Sequence, residues 1–258
     1  MLIMKIIKIE GIVVGEQNYS ESSKILRIFT KDYGIISVLS KGCKKPKSSL
    51  REGSNKLILA NFDISYKENG LSTLIGIDII NIYKNIVLDY HDLEKKMYAF
   101  TIIDLTVQVL GQKQIDENEV KDIYDILKSA LSKINEGLSP KILLDIVMLK
   151  YLKFLGVLPN IDSCSICGGN FEIISLDSKS FGFVCKECYT NEKITSQAAL
   201  KLIRMLYYVD IDKIKKLDEL DGIIEVEEFI DNYYEDHTGI YFNIKKKLIT
   251  LNKMNAVL

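Results

Sequence analysis

Residues that usually carry catalysis are scarce in this chain. Only two histidines occur in 258 residues, His91 and His237, and neither lies beside a nucleophile signature such as GxSxG. There is no GxxxxGK[ST] phosphate loop, no HExxH and no paired-carboxylate motif. These absences exclude the common routes to ATP hydrolysis and favour a binding protein over an enzyme. Each histidine is expected to be a surface or satisfied helix residue. No apolar run approaches the roughly 18 residues that a membrane span needs. The start, MLIMKIIKIEG, has neither a long uncharged hydrophobic region nor a small-residue cleavage site, so no signal peptide is expected. A cytoplasmic protein with no membrane partner is the expectation.

What the chain does have is unevenly spread charge. It holds 34 basic and 35 acidic residues, yet residues 1–80 carry twelve Lys/Arg against eight Asp/Glu, and 210–236 carry eleven Asp/Glu. The densest basic stretch is KGCKKPKSSLREG, with Lys41, Lys44, Lys45, Lys47 and Arg51 uninterrupted by any acid until Glu52. A charge run is often only solvated surface. A basic N-terminal part on an acidic remainder nevertheless points to a polyanionic partner meeting one face.

The periodicity divides the chain. Five β-branched segments, IIKIEGIVVGEQ, KILRIFT, GIISVLSKG, LILANFDISYK and STLIGIDIINIY, alternate with turn-forming NYSESS, KDYG, KKPKSSLREGSN and ENGL. Five strands of this length fit an OB-fold barrel, whose open face and loops often bind single-stranded nucleic acid; an SH3-like barrel fits nearly as well. After Tyr83 the period becomes helical: Asp92–Gln112, then a helix opened by an Asp116/Glu119 capping box and running to Ile134. A third starts at Ser139–Pro140 and stops at Gly156. Helices resume at TSQAALKLIRMLYYV, continue through IIEVEEFIDNYYEDH and finish near NIKKKLITL. The expected fold is therefore α+β and multidomain: a five-stranded OB-fold barrel over 1–83, a helical body over 84–160 and 193–258, and a small cysteine-bearing insert over 161–192.

That insert carries the most specific signal. CSIC and CKEC give Cys164-x2-Cys167-x17-Cys185-x2-Cys188, the spacing of two hairpin arms closing on one tetrahedral Zn2+. Four sulfurs leave no open coordination position, so the zinc is expected to be structural rather than catalytic. A pair of disulfides is the main alternative, disfavoured in a reducing compartment. Cys43 has no partner in sequence and is expected to fill a packing position.

Taken together, these stretches resemble the RecO family of bacterial recombination mediators. The likeness begins at EGIVVGEQNYSESSKILRIFTKDYG (10–34) and continues in SVLSKGCKKPKSS (37–49). It resumes in YLKFLGVLPNIDSCSICGG (151–169) and FGFVCKEC (181–188). The resemblance implies an N-terminal OB-fold, a helical body and a zinc insert. It implies binding to single- and double-stranded DNA and annealing of strands coated by single-strand DNA-binding protein, through that protein's C-terminal tail. It further implies action with RecR to load RecA, at the nucleoid during repair. Near the C-terminus the family often has a basic Lys-Ser element; NIKKK (243–247) keeps Lys245, Lys246 and Lys247 but loses that pair.

On this reading Lys41, Lys44, Lys45, Lys47 and Arg51 contact phosphates without reading bases. Arg27 and Phe29 share one face of the second strand and Tyr19 sits in the first loop, each a candidate for stacking or a further phosphate contact, although Phe29 is more often barrel core. Lys141, Lys150, Lys153 and Arg204 are candidates for the tail-binding groove by helical context only. Two rivals remain open: an OB-fold and zinc-ribbon accessory protein of transcription or RNA processing, and an enzyme built on the helical body.

Overall fold

The computed structural model describes residues 5–67, 70–88, 93–112, 115–217 and 220–240. The chain forms two compact units. One comprises Met1–Lys96 and Ile115–Asn135, the other Met97–Gln114 and Glu136–Leu258.

In the first unit five strands, β1 (Lys5–Asn18), β2 (Lys24–Thr30), β3 (Gly34–Ser40), β4 (Leu59–Tyr66) and β5 (Ser72–Asn81), close into a barrel of order β1-β2-β3-β5-β4. Closure follows from the length of β1. Its first half pairs with β4 (Lys5 opposite Tyr66) and its second half with β2 (Asn18 opposite Lys24), with a register shift between Val13 and Gly15. The one parallel pairing, Val38–Ser72 and Leu39–Thr73, joins β3 to β5 and seals the ring. This is the OB-fold order expected from the turn spacing.

Alternation along the strands sends Ile7, Val13, Leu26, Ile28, Ile36, Val38, Phe62, Ile64 and Leu74 into one interior cluster. Each large apolar side chain so buried stabilises the barrel by about 1.5–3 kcal/mol. Phe29 is buried too, but not there. It lies on the outward face beside its cross-strand partner Ile12, and both are fully buried.

What covers them is helical. After the short helix α1 (Lys84–Val87) and α2 (Leu93–Gln112), helix α3 (Glu117–Asn135) belongs to the barrel's unit. Its start is the anticipated capping box: Asp116 Oδ1 accepts from the N–H groups of Asn118 (2.8 Å) and Glu119 (2.9 Å), while Glu119 Oε2 accepts from Asp116 N–H. Tyr124 packs edge-on against Phe29, with centroids 5.4 Å apart at 73°, a geometry worth about 0.5–1.5 kcal/mol beyond burial. Tyr124 Oη (2.9 Å) and Lys128 Nζ (2.7 Å) both donate to Glu10 Oε1, and Lys31 pairs with Asp125 at 2.7 Å. Asn85 donates through its side chain to the Asn135 carbonyl, and through its backbone to the Asn135 side chain. The sequence assigns 84–160 wholly to a helical body, but 115–135 is part of the barrel's own unit.

The second unit contains most of α2, then α4 (Pro140–Leu155), the hairpin β6 (Ile173–Asp177) and β7 (Gly182–Cys185), α5 (Gln197–Tyr208) and α6 (Ile223–His237). Helix α4 is its centre: from Ile142 to Phe154 nearly every residue is buried. Ser139 Oγ caps its start and Gly156 ends it in the left-handed conformation. Three buried hydroxyl groups of this core find partners across the helices. Thr106 and Tyr151 hydroxyls lie 2.9 Å apart, and Tyr234 Oη donates to the Met148 carbonyl at 2.8 Å. The expected terminal helix near NIKKKLITL, with Lys245–Lys247, lies outside the described residues, as does His91.

Candidate nucleic-acid interface and metal centre

The basic stretch forms the connection from β3 to β4 and is folded, not loose. Successive turns are closed by Lys45 N–H to Gly42 O (3.1 Å), Ser48 N–H to Lys45 O (3.0 Å) and Arg51 N–H to Ser48 O (3.2 Å). Gly42 holds φ +68, a left-handed value that glycine adopts without strain. Cys43 is 2% exposed and fills the packing position expected of it.

The connection is tied to the β1–β2 turn. Lys44 N–H donates to Ser22 O (3.0 Å), Gly42 N–H to Ser23 Oγ (3.1 Å) and Lys44 Nζ to Ser20 O (3.2 Å). Tyr19, 59% exposed, leads into that turn, one residue before the Ser20 carbonyl that accepts from Lys44 Nζ. Lys24 Nζ fastens the far end of the connection, reaching Glu16 (3.1 Å), Ser54 O (3.2 Å) and the Asn55 side chain (3.0 Å).

Lys41, Lys45, Lys47 and Arg51 are exposed and make no ion pair with a described residue. Their charge is therefore directed at solvent. Arg27 is exposed on the outward face of β2, opposite Gly15, and Phe29, two residues on, is closed off beneath α3. The two share a face, but only Arg27 is reachable. The residues that sequence reasoning missed are Ser20, Ser22, Ser23 and Lys24, which set the loop's position. The serine-rich turn NYSESS was the only signal for the three serines, and Lys24 follows it at the start of β2.

Burial pushes the Glu10 carboxyl up, but hydrogen bonds from Lys128 and Tyr124 prevail and hold it below the usual range. Tyr124 moves the opposite way, raised by burial and by the Glu10 charge, so it stays a hydrogen-bond donor.

In the second unit the four insert cysteines converge. The Sγ atoms of Cys164, Cys167, Cys185 and Cys188 lie within 4.8 Å of one another, and Cys167 Sγ is 3.7 Å from Cys185 Sγ. Ligands at about 2.3 Å from a tetrahedral zinc stand about 3.8 Å apart, whereas a disulfide needs about 2.05 Å. All five cysteines are free thiols.

The backbone also suits sulfur carrying negative charge. Cys185 N–H donates to Cys164 Sγ and Gly169 N–H to Cys167 Sγ, each at 3.4 Å. Burial pushes the Cys164 thiol up, yet backbone N–H groups of Cys167, Cys185 and Ile166 outweigh it and bring it down to about 6. Cys188 goes to about 12 because Cys167 and its other neighbours share its proton. The donor set fits a closed metal site, and a bound ion there would cross-link the two arms. Cys43 takes no part.

Gly182 fixes the second arm. It has φ +130 and pairs with Asn160, where an added Cβ would stand 2.2 Å from the Asn160 carbonyl oxygen. His237 is satisfied, its Nε2 lying 2.8 Å from Ser178 O and its ring stacked on Phe181.

The helical-body cations are committed internally. Lys141 pairs with Glu227 (2.7 Å), Lys150 Nζ donates to Tyr207 O (3.2 Å), Arg204 donates to Asp162 O (3.0 Å) over the Phe183 ring, and Lys153 lies against Phe154. Their helical context does not reflect this use.

Comparison with known proteins agrees with both halves of this architecture. Residues 4–83 match the family model described as "Recombination protein O N terminal", and residues 90–246 match "Recombination protein O C terminal". The chain belongs to the RecO family. It is 29% identical over 255 residues to the DNA repair protein RecO of Listeria monocytogenes serotype 4b, covering 97% of each chain. The DNA repair protein RecO of Halalkalibacterium halodurans is 29% identical over 252 residues, covering 96% of each. That of Bacillus pumilus is 28% identical over 257 residues, 98% of this chain and 97% of the relative. These RecO relatives are named for DNA repair rather than for a catalysed reaction, and no helix among the described residues is long and apolar enough to cross a membrane.

Proposed function

We propose that this RecO-family DNA repair protein is a non-enzymatic recombination mediator: it binds single- and double-stranded DNA through its barrel and anneals complementary strands coated by single-strand DNA-binding protein. It contacts that protein's C-terminal tail and acts with RecR to load RecA, in the cytoplasm and at the nucleoid during repair. The observation that carries the reading is the 41–51 connection, whose exposed cations project from a folded loop beside Tyr19.

Annealing makes and breaks no covalent bond. It needs two polyanions brought together and held loosely enough to pair. Lys41, Lys44, Lys45, Lys47 and Arg51 neutralise phosphates, Arg27 adds a contact on the strand face, and Tyr19 offers a ring on which a base can stack. Contacts to phosphate alone carry no sequence information, as an annealer of arbitrary strands requires. The cysteine cluster takes one Zn2+ through Cys164, Cys167, Cys185 and Cys188. Zinc supplies a structural cross-link there, and the reaction does not pass through it.

The test is an annealing assay on complementary strands coated with the cognate single-strand DNA-binding protein, without ATP, run in parallel on DNA and RNA. Accelerated, ATP-independent annealing of DNA is expected. No acceleration, or a preference for RNA, overturns the proposal.

A further inference from the structure

The outward face of β2 and β3 is open at one end and closed at the other. Leu26, Ile28, Ile36 and Val38 point into the barrel, so the cross-strand pairs Ile25–Leu39, Arg27–Ser37 and Phe29–Ile35 point out. Ile25 and Leu39 are partly exposed, and Arg27 and Ser37 are exposed. On β2 the face ends at the third pair, where Phe29 is fully buried against Tyr124 of α3, while Ile35 opposite it on β3 stays partly exposed. Ile12, beside Phe29 on β1, is fully buried as well. The Glu10–Tyr124–Lys128 cluster and the Lys31–Asp125 pair hold the helix in place.

In a barrel of this order, an extended nucleic-acid strand ordinarily crosses the face of strands 2 and 3. Here it cannot cross the whole of it. We propose that a single strand occupies only the half between α3 and the 41–51 loop, over Ile25, Arg27, Ser37 and Leu39, and that α3 is the stop that turns it away from the barrel. This rests on the DNA-binding reading above and adds the path to it. From Ser37 to Lys41 the open run of β3 is about 13 Å, against about 23 Å from Gly34 to Lys41.

The chemistry of the open half suits the role. Ile25 and Leu39 give an apolar surface for base faces, Arg27 reaches a phosphate or stacks, and the polar groups able to meet a base edge are few, Arg27 and Ser37. Exposed Tyr33 lies against partly buried Tyr66, with centroids 5.4 Å apart, and by composition alone offers a stacking platform. Tyr33 lies in the β2–β3 turn beyond the stop, however, and is not on the path.

Two charge substitutions on the same unit separate these positions. Ser37→Glu and Tyr33→Glu each add one negative charge at an exposed site, so their effects on the general field are alike. With full-length protein and oligodeoxythymidylate, Ser37→Glu is expected to lower affinity roughly fivefold or more, and Tyr33→Glu by less than about twofold. Unchanged thermal midpoints would show that both variants fold.

Photocross-linking with 4-thiothymidine in the same oligomer should label 25–27 and 37–41. Labelling of Tyr33 or Tyr66, or equal losses from both variants, overturns the proposal. Labelling confined to 41–51 with Ser37→Glu neutral removes the strand path but leaves the loop as a DNA contact. Binding with no label on the barrel removes both.

Discussion

Removing the metal should unfold one part of this protein and spare another. The four insert sulfurs stand near the separation that a shared tetrahedral ion enforces, with Cys167 and Cys185 at 3.7 Å. As the charged ligands of an ion, two sulfurs at that distance would repel by about 4–5 kcal/mol at an effective dielectric of 20, so in that form a cation is needed to hold them together. The backbone around them is correspondingly local: Cys164 N–H to Gly169 O (2.8 Å), Gly168 N–H to Cys164 O (2.9 Å), Lys186 N–H to Glu172 O (3.0 Å) and Cys188 N–H to Cys185 O (3.1 Å). Purified protein is expected to carry about one equivalent of zinc. Chelation, or Cys185→Ser, should abolish amide protection over 160–195. In the barrel, Leu26, Ile28 and Phe62 belong to a separate unit, and their amides should exchange as before. Hydrogen exchange read by mass spectrometry resolves both regions in one experiment. Protein free of metal, with unchanged protection at Cys164–Cys188, would refute the reasoning.

Two further outcomes are expected. Gly182→Ala places a Cβ against the Asn160 carbonyl in a backbone conformation that side chains rarely adopt, and should destabilise the ribbon by about 3 kcal/mol or more. A thermal midpoint within a degree or so of the parent would contradict it. Glu10, whose carboxyl is held low in the fold, contributes stability that is present above its unfolded pKa of about 4.3 and is lost as pH falls through the lower folded value. Glu10→Gln should therefore cost up to about 1 kcal/mol near neutral pH, solvent screening limiting the pair. The difference from wild type should shrink in denaturant titrations as pH is lowered below about 4, and a difference that grows on acidification would overturn the sign.

Much of this structure is legible in the residues because the signals are local. Alternation and turn chemistry locate the five strands to within a few positions, Asp116 and Glu119 announce the start of α3, and the CxxC spacings name four residues that do meet. The signal weakens where partners lie far apart in sequence. Alternation puts Phe29 and Arg27 on one face of β2, but it cannot say that the face is outward, nor that Tyr124, 95 positions from Phe29, covers the first and leaves the second open. The link from Glu10 to Tyr124 and Lys128 is equally invisible in a helix whose pattern reads as ordinary amphipathic surface. Likewise, helix periodicity offers Lys141 and Arg204 as solvent-facing cations, and only their partners Glu227 and Asp162 show them committed. For the basic loop the sequence supplies the charge and the structure supplies the anchoring against Ser20, Ser22 and Ser23.

The most direct test of the account is the salt dependence of DNA binding. Five loop contacts to a single strand give a slope of log K against log salt of roughly −3 to −4, at about 0.7 per contact. Replacing the exposed Lys41, Lys45 and Lys47 together by glutamine should make that slope shallower by about 2, with affinity reduced and the unfolding midpoint retained. A folded triple variant with the wild-type slope and affinity would show that the loop does not hold the strand.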